Sequence, residues 1–122
     1  MKEQITIEDF AKCDIRLGTI LEAGFVEGAD KLIVFKVDLG EKVVSENGEE
    51  IPHVRQILSG IKEYYPDPSI LVGKQVPVLC NLPTRKLKGL ESEGMILYSV
   101  GEGENFKALH PESKVANGTQ IG

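Results

Sequence analysis

A chain of 122 residues and 13.4 kDa, 41% hydrophobic and 27% charged, has the size and balance of one domain with a single core spanning residues 1–122. No apolar run reaches the roughly 18 residues of a membrane span, and Met-Lys-Glu-Gln-Ile-Thr at the start carries no signal core. The expectation is therefore a cytoplasmic protein without a membrane partner. The formal net charge of -5 and pI of about 5.1 exclude indiscriminate affinity for polyanions.

Thr6-Ile-Glu-Asp9 has the spacing of a capping box, and Ile7, Phe10 and Ala11 follow at helical intervals, which predicts one or two helical turns ending near Cys13. From Asp14 the period changes to two: Ile15 and Leu17 alternate with Asp14 and Arg16, and a phase shift after Gly18 predicts a bend or bulge there. Gly24 to Lys31 is turn-like. Ile33, Phe35, Val37 and Leu39 then share one face of a half-buried strand, with Lys36 and Asp38 on the other. Asn47-Gly48 predicts a type I′ turn at the tip of an acidic hairpin from Glu41 to Pro52.

His53 to Leu58 continues as a strand, and Ile61 to Tyr65 forms a short segment terminated by Pro66 and Pro68. Gln75 to Cys80 is a further strand, with Val76, Val78 and Cys80 on one face and Pro77 marking an edge or bulge. Met95 to Val100 is the next strand. Phe106 to Ile121 reads as a C-terminal extension of short strands.

Asn81 to Met95 interrupts the last two strands with a stretch too polar for an element interior. Arg85, Lys86 and Lys88 lie in it, and no carboxylate occurs from Pro68 to Leu90. Between His53 and Leu90 six basic and two acidic residues give a local net of +4, which leaves eight basic and 17 acidic residues, or -9, for the remainder. Charge is thus gathered onto one stretch. An exposed cationic loop between rigid strands suits an anionic, extended ligand such as a nucleic-acid backbone. Five strands with one short helical element between the third and fourth predict an all-β, five-stranded Greek-key barrel of OB type, with a short N-terminal helix and the C-terminal extension. In that architecture ligand crosses strands 2 and 3 between two loops, which here are Gly24 to Lys31 and Asn81 to Gly94.

Other chemistry is poorly supplied. There is no glycine-rich phosphate loop, no His-x-x-x-His and no serine elbow, and His53 and His110 are isolated, so no catalytic residue is assigned and no enzyme is expected. Cys13 and Cys80 have no metal spacing and read as small buried hydrophobes, so neither a metal nor a cofactor is expected. With no Trp, and Phe25 the only ring in either loop, stacking on single strands is disfavoured against structured RNA read by shape. Phe10, Phe35, Tyr64 and Tyr65 read as packing residues.

Asp14-Ile-Arg-Leu-Gly-Thr-Ile20, Ala29-Asp-Lys-Leu32, Val37-Asp-Leu-Gly40, Arg55-Gln-Ile-Leu-Ser-Gly-Ile61, Leu71-Val-Gly-Lys74, Asn81-Leu82 and Lys86-Leu-Lys-Gly89 followed by Ser92-Glu-Gly-Met95 together resemble the tRNA-binding domain family. The resemblance runs in order from about Ile5 to Ile121. That family includes free-standing structure-specific tRNA-binding proteins, the C-terminal domain of many methionyl-tRNA synthetases and cytokine-precursor cofactors of synthetase complexes. It implies an OB fold that binds tRNA by shape without reading sequence, with methionyl-tRNA synthetase as a partner and, in free-standing relatives, a homodimer built by the terminal segments. Small secretion chaperones that bind polypeptides share the fold and are the alternative. Tyr98, where a small residue is common, and the acidic hairpin depart from the family pattern.

On this reading Lys31, Arg85, Lys86 and Lys88 pair with phosphates. Arg55 either reaches phosphate or pairs with Asp38. Asn81 and Ser92 either fix the loop by hydrogen bonds to backbone or donate to ribose and phosphate. Met95 packs against an exposed base or fills the core.

Overall fold

The computed structural model describes all of residues 1–122. Helix α1 spans Ile7–Ala11 and is closed at its start by the expected box: Asp9 N–H donates to Thr6 Oγ1 (3.3 Å) and Thr6 N–H donates to Asp9 Oδ2 (3.2 Å). Five antiparallel strands make the body: β1 (Ile15–Phe25), β2 (Ile33–Val44), β3 (Glu50–Ser59), β4 (Gln75–Leu79) and β7 (Met95–Ile96), in the order β3-β2-β1-β4-β7. This is a curled, all-β sheet of OB type. Between β4 and β7 lies a hairpin of β5 (Arg85–Leu87) and β6 (Leu90–Ser92), and β8 (Tyr98–Ser99) pairs with β9 (Lys107–Ala108).

The two-residue period of β2 fixes the core. Ile33, Phe35, Val37 and Leu39 are all buried and meet Ile20, Ile57, Val76, Val78 and Ile96 across the curled sheet. Gly18 belongs to this packing: a Cβ there would lie 2.7 Å from Val37 Cγ1 and 2.8 Å from Leu39 Cδ2, so these side chains of the neighbouring strand fill the space over Gly18. The sheet curls until β3 meets the end of β6 and the residue that follows it. There Glu93 N–H donates to the Gln56 carbonyl (2.8 Å) and Leu58 N–H donates to Ser92 Oγ (3.0 Å).

Several local expectations are corrected. The irregularity in β1 falls between Ile20 and Glu22, not at Gly18, whose role is close approach. The Asn47-Gly48 turn is not type I′: only Gly48 has positive φ, Gly48 N–H returns to the Ser45 carbonyl, and Ser45 N–H donates to Glu49 O, the pattern of a type I turn with a glycine bulge. The helical element before β4 is a 3₁₀ turn, Pro68–Leu71, which Pro68 begins instead of preventing, because a first-turn residue needs no intrahelical N–H. Pro77 sits in a strand paired on both sides, and its carbonyl accepts Leu97 N–H where the β7 ladder ends. Cys80 is buried as expected; Cys13 is exposed.

The C-terminal segment completes the sheet. Where β2 leaves β1 beyond the Thr19–Asp38 pair, residues 118–121 run alongside β1, with Gly118 N–H donating to Leu17 O, Leu17 N–H to Thr119 O and Ile121 N–H to Ile15 O. Gln75 binds Val115 through both its amide groups, which ties the extension to β4.

Candidate nucleic-acid interface

The basic stretch is a folded hairpin. Leu87 pairs with Leu90 across Lys88 (φ 50°) and Gly89 (φ 79°), so the two central residues are both left-handed, the requirement of a type I′ turn. A lysine tolerates that region only at a cost, and glycine beside it makes the tight turn feasible. Cross-strand pairs share a face of a hairpin, so Arg85, Leu87, Leu90 and Ser92 lie on one side and Lys86 and Glu91 on the other.

The apolar side docks. Leu87 and Leu90 pack with Leu32 and Val34 against a small buried cluster of Val26, Ala29 and Leu58. Val26 and Ala29 belong to the loop between β1 and β2, and Leu58 to the outer face of β3, so this minor core fastens both predicted loops together over strands 2 and 3. Its consequence is electrostatic: Lys31 from the first loop and Lys88 from the hairpin tip line one open cleft of about 300 Å³, with Gly28 and Asp30 beside them. Lys31, Arg85, Lys86 and Lys88 are all exposed, and none lies within 4 Å of a carboxylate. Glu91 stands directly across from Lys86 and dilutes the field on that side.

The remaining four candidates divide. Met95 is 45% exposed and lines a groove beside the hairpin. Asn81 has both ends of its amide in use: Nδ2 donates to Lys12 O (2.7 Å) and Oδ1 accepts Asp14 N–H (2.9 Å), which pins the start of the hairpin segment to the end of the helix. Ser92 is buried and bridges Leu58 N–H and Gly94 O.

Arg55 pairs with Val37 in the β2–β3 register, and therefore points to the inner face, opposite to Asp38. Asp38 is occupied elsewhere, accepting Gly40 N–H at 2.8 Å. The partner of Arg55 is Glu41, which an irregularity between Asp38 and Glu41 brings to the same end of the sheet. Nε and Nη2 donate to the two Glu41 oxygens at 2.7 and 2.9 Å, while Nη1 donates to Cys80 O (2.8 Å) and Glu93 O (2.9 Å). Those two carbonyls immediately bracket the 81–92 insertion, so the guanidinium closes its base. The hydrogen bond from Arg55 holds the Glu41 carboxyl below the ordinary glutamate range, against the opposing effect of burial, and the same bond raises Arg55. One arm of the acidic hairpin is thereby a structural support for the basic one.

Three contributors were not picked out by spacing in the sequence. Lys62 lies 4.7 Å from the centroid of Phe25, covering one face of that ring, and its N–H donates to Lys31 O. Glu93 accepts Gln56 N–H (3.3 Å) and meets His53 Nε2 (3.1 Å), and Gln56 in turn accepts from Lys36 Nζ and donates to Glu91 O. Each pairing joins residues far apart in the chain and leaves no local periodic trace. Tyr98 donates to Ser59 Oγ (3.0 Å) and stacks on Phe106, whose ring also stacks on Tyr64; burial pushes the Tyr98 phenol up.

Comparison with known proteins agrees with this architecture. The family model described as "Putative tRNA binding domain" matches residues 15–120. The chain is 45% identical over 119 residues to the methionine–tRNA ligase of Porphyromonas gingivalis strain W83, covering 98% of this chain and 16% of that protein. It thus spans about one sixth of the length of such curated relatives. A methionyl-tRNA-synthetase-related protein from Pyrococcus horikoshii superposes with a TM-score of 0.78 at 28% identity, covering 98% of this chain and 99% of that one. The chaperone CsaA of Bacillus anthracis superposes with a TM-score of 0.76 at 28% identity, covering 98% and 100%. With a family match over nearly its whole length and motifs, fold and loops in the corresponding places, this chain belongs to the tRNA-binding domain family.

Proposed function

We propose that the chain is a non-catalytic, cytoplasmic module that binds folded tRNA through its backbone and shape, with little preference among tRNA species, as an accessory to methionyl-tRNA synthetase. The observation that carries this reading is the cleft shared by Lys31 and Lys88, brought together by the minor core around Leu58. Two flexible ammonium groups and the neighbouring Arg85 and Lys86 suit phosphates, and the deep, narrow major groove of an RNA duplex keeps such side chains from the base edges. Affinity is expected in the micromolar class and to weaken with salt.

The module works as a homodimer. Ile7 (73% exposed), Phe10 (38%) and Ile5 (69%) have no core to enter, and Ile7, Phe10, Ala11 and Ile121 line one apolar hollow formed by both chain ends. Two-fold pairing there would bring two cationic clefts to bear on one tRNA. An apolar groove beside the hairpin, and the likeness to CsaA, favour a second reading in which polypeptide is the ligand.

The test is tRNA affinity at several salt concentrations for a Lys31→Ala, Arg85→Ala, Lys86→Ala, Lys88→Ala variant, with Lys107→Glu, Lys114→Glu as the control. The log–log salt slope should flatten by about 0.7 to 0.9 for each phosphate left unpaired. An unchanged slope in a folded variant refutes the interface, and equal binding of unstructured RNA of matching length refutes recognition by shape.

A further inference from the structure

Next to the cationic cleft lies a groove of about 530 Å³, within the range of small-ligand sites. Ten of its 13 lining residues are apolar, Arg85 is the only charged one, and no carboxylate or lysine borders it. Leu87, Met95, Tyr98 and Val100 all line it, and Val100 is 84% exposed. Leu32 lines both the groove and the Lys31–Lys88 cleft, so the two concavities adjoin at one side chain.

From this juxtaposition we infer that the groove takes one unpaired nucleobase of the bound RNA, flat against Met95 and Leu87, while the flanking phosphates lie on Arg85 and in the Lys31–Lys88 cleft. The inference rests on the tRNA reading above and adds to it an interaction that phosphates alone do not supply. Charge decides the occupant. A nucleotide joins an apolar face to an anion through its sugar, and this surface offers the complement: an apolar hollow with a guanidinium at its rim and two ammonium groups next door. Only an unstacked base reaches such a hollow, since paired bases present their edges and not their faces. Preference for folded tRNA still comes from the shape that sets the phosphate contacts, and the groove adds affinity for one base that this shape leaves unpaired.

The experiment compares the wild-type chain with a Met95→Ser, Val100→Ser variant. Both positions are exposed, so the fold is retained and thermal melting checks it. Three probes are used: a folded tRNA transcript, a blunt RNA duplex with every base paired, and a short acidic peptide rich in leucine. The expected result is a drop in tRNA affinity of about fivefold or more, from the usual range of base-stacking contributions, with the salt slope unchanged and duplex binding unaffected. If the folded variant binds tRNA as tightly as the wild type while the cation variant does not, the nucleobase site is overturned and tRNA binding stands. If the groove variant loses peptide binding but keeps tRNA binding, the groove is a polypeptide site and the inference is overturned. If the wild type binds no tRNA at all, the underlying reading fails and the inference with it.

Discussion

Replacing Arg55 by Ala should loosen the basic hairpin without removing a phosphate ligand. Two bonds to backbone carbonyls disappear, each a charged-donor bond of about 1.5 kcal/mol at the low end. The Glu41 pair is partly exposed, with side chains 18% and 35% accessible, so its own contribution is discounted to about 1 kcal/mol or less. Water reaching the freed carbonyls recovers part of this, and the expected cost is about 2 to 4 kcal/mol. For a chain of this size that is a fall in Tm of about 8 to 16 °C. Hydrogen exchange should quicken first at Leu58 and Glu93, whose N–H groups close β3 onto the end of β6 and the residue that follows it. Glu41→Gln keeps both carbonyl bonds and should cost only about 1 kcal/mol. Affinity for tRNA should drop in Arg55→Ala while the salt slope stays as it was. A slope smaller by about 0.7 to 0.9, with Tm and exchange unchanged, would make Arg55 a phosphate ligand and refute the structural role.

Glu41 also gives a pH dependence. Its carboxyl is held low by Arg55, so the stabilisation is fully present above the ordinary glutamate value of about 4.3 and disappears as pH falls through the lowered value. Melting from pH 6 down to pH 3 should therefore show a steeper decline in the wild type than in Glu41→Gln, and parallel curves would count against the pair. Gly18→Ala places a methyl 2.7 Å from Val37 Cγ1 and should cost about 1 to 3 kcal/mol of overpacking, read by urea denaturation; a neutral result would mean that β1 and β2 separate more easily than their packing implies. If the proposed homodimer forms through the chain ends, Ile7→Asp with Phe10→Asp should leave a monomer with the barrel intact, because neither side chain is in the core. A 13.4 kDa species for the unaltered chain at high micromolar concentration in sedimentation would rule the dimer out.

What the sequence determined by itself is the part governed by near neighbours. The capping box at Thr6 and Asp9, the buried alternation Ile33 to Leu39, and the order of strands and breaks all depend on residues within a few positions, where spacing and solvent preference suffice. The position of Arg85, Lys86 and Lys88 between the last barrel strands was legible for the same reason. Tertiary structure decided which of the polar candidates are spare. Arg55 and Asp38 suit one another in the sequence, but the strand register puts them on opposite faces, and an irregularity between Asp38 and Glu41 brings Glu41 round instead. Asn81 and Ser92 are absorbed by backbone groups of Lys12, Asp14, Leu58 and Gly94, partners that only chain closure supplies. Lys31 and Lys88, 57 positions apart by their numbers, become neighbours because Leu58, Leu87 and Leu90 bury apolar surface together, a long-range free-energy gain with no local signature.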